Sequence, residues 1–421
     1  MDIGREYRFA YDPPVIRHGA GCVGNLGGEL GSLGFERALV VCGRTVGARS
    51  AVMDPIRNGL GDRLAGVFDG TTPQKRLDTA IECAKLAHEV DADVLVGLGG
   101  ASSLDVARVA SVVVASERSP DELGEQLAST ATLAVPDGTT PVAAVPTTLA
   151  GGSLSMLAGV SADPASGLVE TPVGGGVGDP RLMPKSVVYD PELAATTPRD
   201  VLAGSAMNGF NKGVETLYAS TRTPVTDATA TDGLALLSAA LPRLGSEPTA
   251  DELEPALRGV MLVQYGVSRD SGTTFSLLHA IGHALRINTD VQLGVAHGAI
   301  APAALEWLFG EVDGRRELLA EALGVGDAAD PAAAVVGRMT ELRESLGLPE
   351  RLRDVPGADQ AALDAVAGMA AESFLGSIDA PNESGASTER RRAAGWSGSP
   401  HAPPGIEVTT DAVRGILDAA W

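Results

Sequence analysis

Val94-Leu95-Val96-Gly97-Leu98-Gly99-Gly100-Ala101-Ser102-Ser103-Leu104-Asp105-Val106-Ala107-Arg108 is the stretch that decides the fold. Val94–Leu98 is a short apolar run, a strand by length, and it passes directly into a glycine pair and hydroxyl side chains. Glycines leaving a strand let the backbone approach a pyrophosphate, and the N–H groups of the following helix start face its charge. Ser102 and Ser103 add hydroxyl donors. A plain strand-to-helix turn uses the same residue types, so the stretch gains meaning from a companion. Pro146-Thr147-Thr148-Leu149-Ala150-Gly151-Gly152-Ser153 also follows an apolar run, Val142–Val145, and its hydroxyls suit a ribose or phosphate. Two such segments behind successive strands point to a nucleotide. The Gly-x-Gly-x-x-Gly fingerprint is absent, which argues against a standard Rossmann unit.

Outward from this stretch, residues 1–195 alternate apolar β-type runs with helical spacing, the pattern of a parallel sheet with helices on its faces. Ala38–Cys42 and Ser186–Tyr189 read as further strands, and Gln74–Val90 as a helix whose apolar face holds Leu77, Ala80, Ile81, Ala84, Leu86 and Ala87. From about Pro198 the pattern becomes helical: 201–220, 225–241, 251–267, 273–286, 299–308 and 361–375. The expected architecture is therefore an α/β nucleotide-binding domain over 1–195 and an all-helical domain over 196–421. Gly167–Asp179 is glycine-rich, a loop or hairpin. Ala380–Val408, with Arg390-Arg391-Arg392, reads as an insert-like loop. Thr409-Thr410-Asp411 would cap a last helix ending near Trp421.

Composition narrows the function. Aromatic residues are only 4% of a chain that is 44% hydrophobic, so the core must be mostly Ala, Val and Leu. No apolar run reaches the ~18 residues of a membrane span. Met1–Glu6 lacks a signal-peptide pattern, and Cys22, Cys42 and Cys83 form no paired framework, which suits free thiols in a cytoplasm. The net charge is −22, and only Lys75, Lys85, Lys185 and Lys212 are lysines among 32 basic residues. Such an acidic, lysine-poor surface suits molar salt, where the Debye length is ~3 Å and self-repulsion costs little. An ordinary acidic protein from a GC-rich genome has a similar bias. In either case nucleic acid is not a partner, because phosphate binding needs basic patches.

The two glycine-rich segments together resemble the iron-containing alcohol dehydrogenase family. Its nucleotide motif Gly-Gly-Gly-Ser-x-x-Asp-x-Ala-Lys is matched by Gly99–Arg108, with Ala101 for the third glycine and Arg108 for lysine. The likeness continues through Pro184–Leu193, Leu278–His283 and His297-Gly298. The maleylacetate reductase branch looks nearest, from Gly61–Gly70, Asn208 and Val214–Ala219. The resemblance implies NAD(P) in a cleft between the domains, held by Gly99, Gly100, Ala101, Ser102, Asp105, Thr147, Thr148 and Ser153. It also implies a small carbonyl or alcohol substrate and a homodimer. Many NAD-specific relatives carry an Asp after the first strand, where it repels a 2′-phosphate. Here Gly43 and Arg44 stand there, so NADP is favoured over NAD.

In the family, one Asp and three His bind a divalent cation that polarises the substrate oxygen. Two of those histidines match His279 and His297. The other two positions lie at i and i+4 on one helix face and hold Asn208 and Lys212. Asn is a weak ligand, and an ammonium has no lone pair. The expectation is therefore metal-independent chemistry: Lys212 supplies positive charge and a proton to the substrate oxygen, and His283 relays. Asn208 would orient the substrate, and His279 with His297 would take a carboxylate or oxo group. A surface lysine in a site that has lost its function would leave the same residue there. Two rivals remain: a metal enzyme with a reduced ligand set, and a catalytically silent nucleotide binder. Dehydroquinate synthase shares a related fold, but its metal ligands and phosphate-binding lysines have no match here.

Overall fold

A computed structural model describes residues 7–269, 272–374 and 401–421 of the chain. Eight of its strands matter for the site: β1 (Val15–His18), β2 (Ala38–Gly43), β3 (Leu64–Thr71), β4 (Val94–Gly99), β5 (Val142–Pro146), β6 (Leu157–Ala162), β7 (Val173–Gly178) and β8 (Ser186–Tyr189). Six form one sheet in the order β1-β8-β5-β4-β2-β3, every pairing parallel. β6 and β7 form a separate antiparallel hairpin, so the glycine-rich Gly167–Asp179 contributes its second strand.

The central strands read as unbroken apolar runs because both faces of the sheet are covered. Side chains alternate between those faces. Ala38, Val40 and Cys42 join Val94, Val96 and Leu98 against the Ser50–Leu60 helix. Leu39, Val41 and Leu95 point the other way, against the Leu77–Glu89 and Ala101–Val114 helices. On that same side Ala144, Val187 and Tyr189 belong to the core of the helical half, so the join between the halves is dry.

From Arg199 onward the chain is helical: Arg199–Tyr218, Pro224–Ala240, Ala250–Gln264, Leu277–Asn288, Leu293–Glu311, Arg316–Ala322, Pro331–Ser345, Leu363–Glu372 and Thr410–Ala420. Thr223 and Thr249 close capping boxes, with Thr226 and Glu252 as the reciprocal partners. Thr409 caps the last helix, as its sequence predicts. The predicted helix 273–286 starts later, at Leu277, because Gly272 and Thr273 pair with Ser268 and Arg269 in a short antiparallel ladder. The predicted loop at 380–408 lies mostly outside the described residues, and 401–408 form no helix or strand. The sequence reading missed β1 and β3, the two edge strands. Neither is sealed on both faces, and β3 carries two glycines that interrupt its apolar run. Cys22, Cys42 and Cys83 are free thiols. Among the described residues no helix is long and apolar enough to cross a membrane.

Candidate active site

From β2 the chain crosses to β3 on one flank and then to β4 on the other. The crevice at such a switch point opens outside the carboxyl ends of the strands. Gly43 ends β2 and Gly99 ends β4 at that place. Gly99 has φ +120°, a conformation that an L side chain rarely adopts, and it turns the chain into the Ala101–Val114 helix. Gly100 is the N-cap and no side chain caps this helix start, which leaves Ala101 and Ser102 with their first-turn N–H groups open. A Cβ on Gly100 would meet Thr148 at 3.5 Å, so the two glycine-rich segments face each other. Thr147 N–H donates to Gly99 carbonyl at 3.0 Å and locks them together. This cradle of open amides, glycine and threonine fits a pyrophosphate. Arg44, exposed at the end of β2, opens a four-residue helix beside it.

Three of the expected cofactor-binding residues have partners within the protein. Ser153 is 1% exposed and its hydroxyl pairs with Tyr189 Oη at 2.7 Å, an interior link to β8. Thr147 is buried, and its carbonyl accepts from Thr197 Oγ1 at 2.8 Å. Asp105 is held in a charge network: Lys75 Nζ at 2.5 Å and Gly159 N–H at 3.1 Å on Oδ2, and Arg108 Nη1 at 3.3 Å on Oδ1. Arg108 is fully buried and donates further to Gly152 carbonyl at 2.9 Å. A buried guanidinium needs these partners, because leaving a charge unpaired there costs about 3–5 kcal/mol. Ser103 is occupied by Thr71, hydroxyl to hydroxyl, at 2.9 Å.

The segment after β5 lies across the Arg199–Tyr218 helix. Ser205 Oγ accepts from Leu149 N–H at 3.0 Å, and Asn208 Nδ2 donates to Ala150 carbonyl at 3.2 Å. Lys212 Nζ donates to Gly151 carbonyl. Gly209 makes room for this grip, since a Cβ there would stand 2.1 Å from Leu149 carbonyl oxygen. Residues 205, 208, 209 and 212 are spaced as one stripe of the helix. Lys212 is 7% exposed, and its ammonium stands 5.4 Å from the Phe275 ring centroid. Burial pushes its pKa down to about 7, with Asp105 the main charge opposing the shift and Lys75 adding to it.

Beneath Lys212, Phe275 stacks on His279 with centroids 4.4 Å apart, and His279 meets His297 edge-on at 5.0 Å. Glu215, one turn beyond Lys212, accepts from His279 N–H at 3.0 Å and pairs with His279 Nδ1. Burial raises the Glu215 carboxyl to about 7 and holds His279 well below its ordinary value, so the pair disfavours either charge. His297 is fully buried, pushed down to about 3 by burial first. Its two ring nitrogens, His279 Nε2 and Asn208 Oδ1 have no hydrogen-bond partner. His279 and His297 do come together, and both are buried. His283 lies further along the same helix face with an exposed ring, and its pKa is lowered by desolvation, then by Arg286 and Lys75.

These residues do not fit a divalent cation well. His279 and His297 offer neutral nitrogens, but the helix opposite presents an amide and an ammonium, and the ammonium repels a cation. Sequence reasoning missed Glu215, Lys75 and Arg286. Glu215 was visible as the i+3 neighbour of Lys212, but nothing in the spacing announced its pairing with His279. A surface hollow of about 490 Å³, lined by Glu306, Phe309, Ala332 and Val336, lies between two peripheral helices and contains none of the residues above.

Strand ends opening onto a glycine-lined helix start, laid against a helical half with buried histidines, are the architecture of a two-domain, nucleotide-using oxidoreductase. The chain belongs to the iron-containing alcohol dehydrogenase family: residues 13–191 match the family's iron-containing alcohol dehydrogenase profile, and residues 202–383 its C-terminal profile. Maleylacetate reductase 1 of Cupriavidus pinatubonensis is 27% identical over 352 residues, which cover 83% of this chain and 87% of that protein. A maleylacetate reductase from Agrobacterium tumefaciens superposes with TM-score 0.74 at 21% identity, covering 99% of this chain and 98% of that one. An alcohol dehydrogenase from Oenococcus oeni gives TM-score 0.80 at 20% identity, covering 98% of this chain and 100% of that one. At such identities the two solved structures speak for the fold. The chain is an oxidoreductase of a family that uses NAD(P).

Proposed function

We propose that this oxidoreductase reduces small carbonyl compounds with NAD(P)H, keto acids of the maleylacetate type foremost, and that Lys212 does the work done by a metal elsewhere in the family. The observation that carries this reading is the buried Lys212 ammonium, which donates to Gly151 carbonyl and faces the Phe275 ring, at a position that aligns with a family metal ligand. Bound NAD(P)H supplies a hydride. Gly99, Gly100, Ala101, Ser102 and Thr148 would cradle its pyrophosphate, and Arg44 beside Gly43 would receive a 2′-phosphate, favouring NADP(H). Lys212 would leave Gly151 carbonyl, bind the substrate oxygen and give it a proton as the carbonyl carbon is reduced. A lysine pushed down to about 7 is a competent acid at neutral pH. His283, an exposed residue one turn along the helix from His279, would return the proton from solvent, and Asn208 Oδ1 would orient the substrate. A cytoplasmic homodimer, with each chain dividing into its two domains between residues 195 and 196, is part of the same reading.

A second reading has a specific observation in its favour. The unpartnered nitrogens of His279 and His297 with Asn208 Oδ1 could hold a metal after Lys212 is displaced. The deciding experiment is NADPH and NADH oxidation in molar KCl over carbonyl compounds including maleylacetate, first with EDTA and then with Fe²⁺ or Zn²⁺. Turnover indifferent to EDTA supports the lysine mechanism. Activity that appears only with metal overturns it, and silence in both makes the chain a nucleotide binder without catalysis.

A further inference from the structure

His279, His283 and Arg286 fall at i, i+4 and i+7 of the Leu277–Asn288 helix and so share one stripe. At the C-terminal end of that stripe the helix reaches the first domain: a Cβ on Gly174 of β7 would lie 3.9 Å from Ile287 Cγ1. Arg286 is half-buried there. Among the described residues no hydrogen bond or ion pair engages its guanidinium, although burial works against its charge. The helix C-terminus favours a cation, but a dipole gives only about 0.3–1 kcal/mol and does not fill five donors. The charge of Asp105 supports that of Arg286, but the Asp105 oxygens are already taken by Lys75, Arg108 and Gly159.

The local charge balance is the reverse of the global one. A chain of net charge −22 gathers Lys75 and Arg108 directly on Asp105, with the charges of Lys212 and Arg286 also felt there. Two of its four lysines are in this group. Lys75 sits in a left-handed conformation, φ +57°, which costs about 1–3 kcal/mol in a non-glycine residue and persists only where surroundings impose it. Its partner strand imposes it: Ser161 N–H donates to Lys75 carbonyl at 3.1 Å, and Ser161 Oγ to Gln74 carbonyl at 2.6 Å. The hairpin thereby aims Lys75 at Asp105.

We propose that Arg286, backed by Lys75, is the receptor for a carboxylate of the substrate, and so selects anionic carbonyl compounds over uncharged ones. A planar guanidinium with free donors matches a carboxylate two-to-two. The inference rests on the reductase reading and assigns its specificity to a residue outside the Lys212 and His279–His297 cluster.

Binding is the first test, because it needs no turnover. Succinate is titrated by calorimetry into the wild-type chain and into Arg286→Gln, Arg286→Lys and Lys85→Gln, the last an exposed lysine on the Leu77–Glu89 helix. The expected result is affinity lost at least about tenfold in Arg286→Gln, partly kept in Arg286→Lys, and unchanged in Lys85→Gln. The kcat/KM ratio of a keto acid to an uncharged aldehyde should fall by the same factor. Equal succinate affinity in all four overturns the proposal. A tenfold loss of NADPH affinity in Arg286→Gln with succinate binding intact also overturns it, by making a cofactor phosphate the anion. A chain that binds succinate through Arg286 yet reduces no carbonyl keeps the receptor and defeats the reductase reading instead.

Discussion

Lys212 Nζ donates its hydrogen bond to the carbonyl oxygen of Gly151, so one ammonium pins the helical half to the glycine-rich segment after β5 and, in the proposed mechanism, also serves the substrate oxygen. A residue with two duties can be separated by substitution, because the duties have different readouts.

Lys212→Met keeps most of the volume and removes the charge. Reduction should lose at least about 100-fold in kcat, the size of a lost general acid. NADPH affinity, measured by fluorescence titration, should move less than tenfold because Gly99, Gly100 and Thr148 remain. Retained turnover would leave Lys212 with the pinning role alone.

The pH profile has a defined sign. Burial lowers Lys212 to about 7, so the proton donor is present below that value and lost above it. Reduction should fall about tenfold per pH unit above 7, and alcohol oxidation should rise until the same pH. Glu215 ionises in the same range. In Lys212→Arg, which stays charged, the descending limb should vanish. A limb that persists there and disappears in Glu215→Gln assigns it to the carboxyl.

Gly209→Ala places a methyl against Leu149 carbonyl oxygen, at 2.1 Å before relaxation. Relief requires the helix and the segment to part, so unfolding free energy should drop by about 1–3 kcal/mol, read from denaturant midpoints. An unchanged midpoint would mean that the two elements are not held in contact.

Arg44→Ala tests cofactor choice. NADPH should bind about tenfold more weakly and NADH about as before, since only the former carries a 2′-phosphate. Parallel loss of both would move the 2′-phosphate elsewhere.

The parallel sheet was legible because β2, β4, β5 and β8 are sealed on both faces and therefore apolar throughout. Much of the helical half was legible from its period, though Arg316–Ala322 and Pro331–Ser345 were missed. The edge strands β1 and β3 were not, because pairing partners rather than composition make them strands. In the site, Lys212 stood out through the scarcity of lysine, and the Asn208–Lys212 spacing put both on one face. What spacing could not reveal was the far end of each contact: Gly151 for Lys212, Glu215 for His279, Tyr189 for Ser153. Ser153 and Asp105 fit a phosphate-binding pattern by type, yet their polar atoms already have partners from distant segments. Arg286 is ordinary by residue type, and only the absence of a partner among the described residues marks it.

The acidic exterior and the cationic cluster around Asp105 together make salt concentration a gate on encounter. In dilute buffer a molecule of charge −22 repels an anionic substrate before it nears the cleft. At molar salt that repulsion dies within ~3 Å of the surface, while half-buried Arg286 and Lys75 keep most of their pull. Association of an anionic substrate should therefore accelerate with ionic strength, opposite to the electrostatically steered enzymes whose attraction salt weakens.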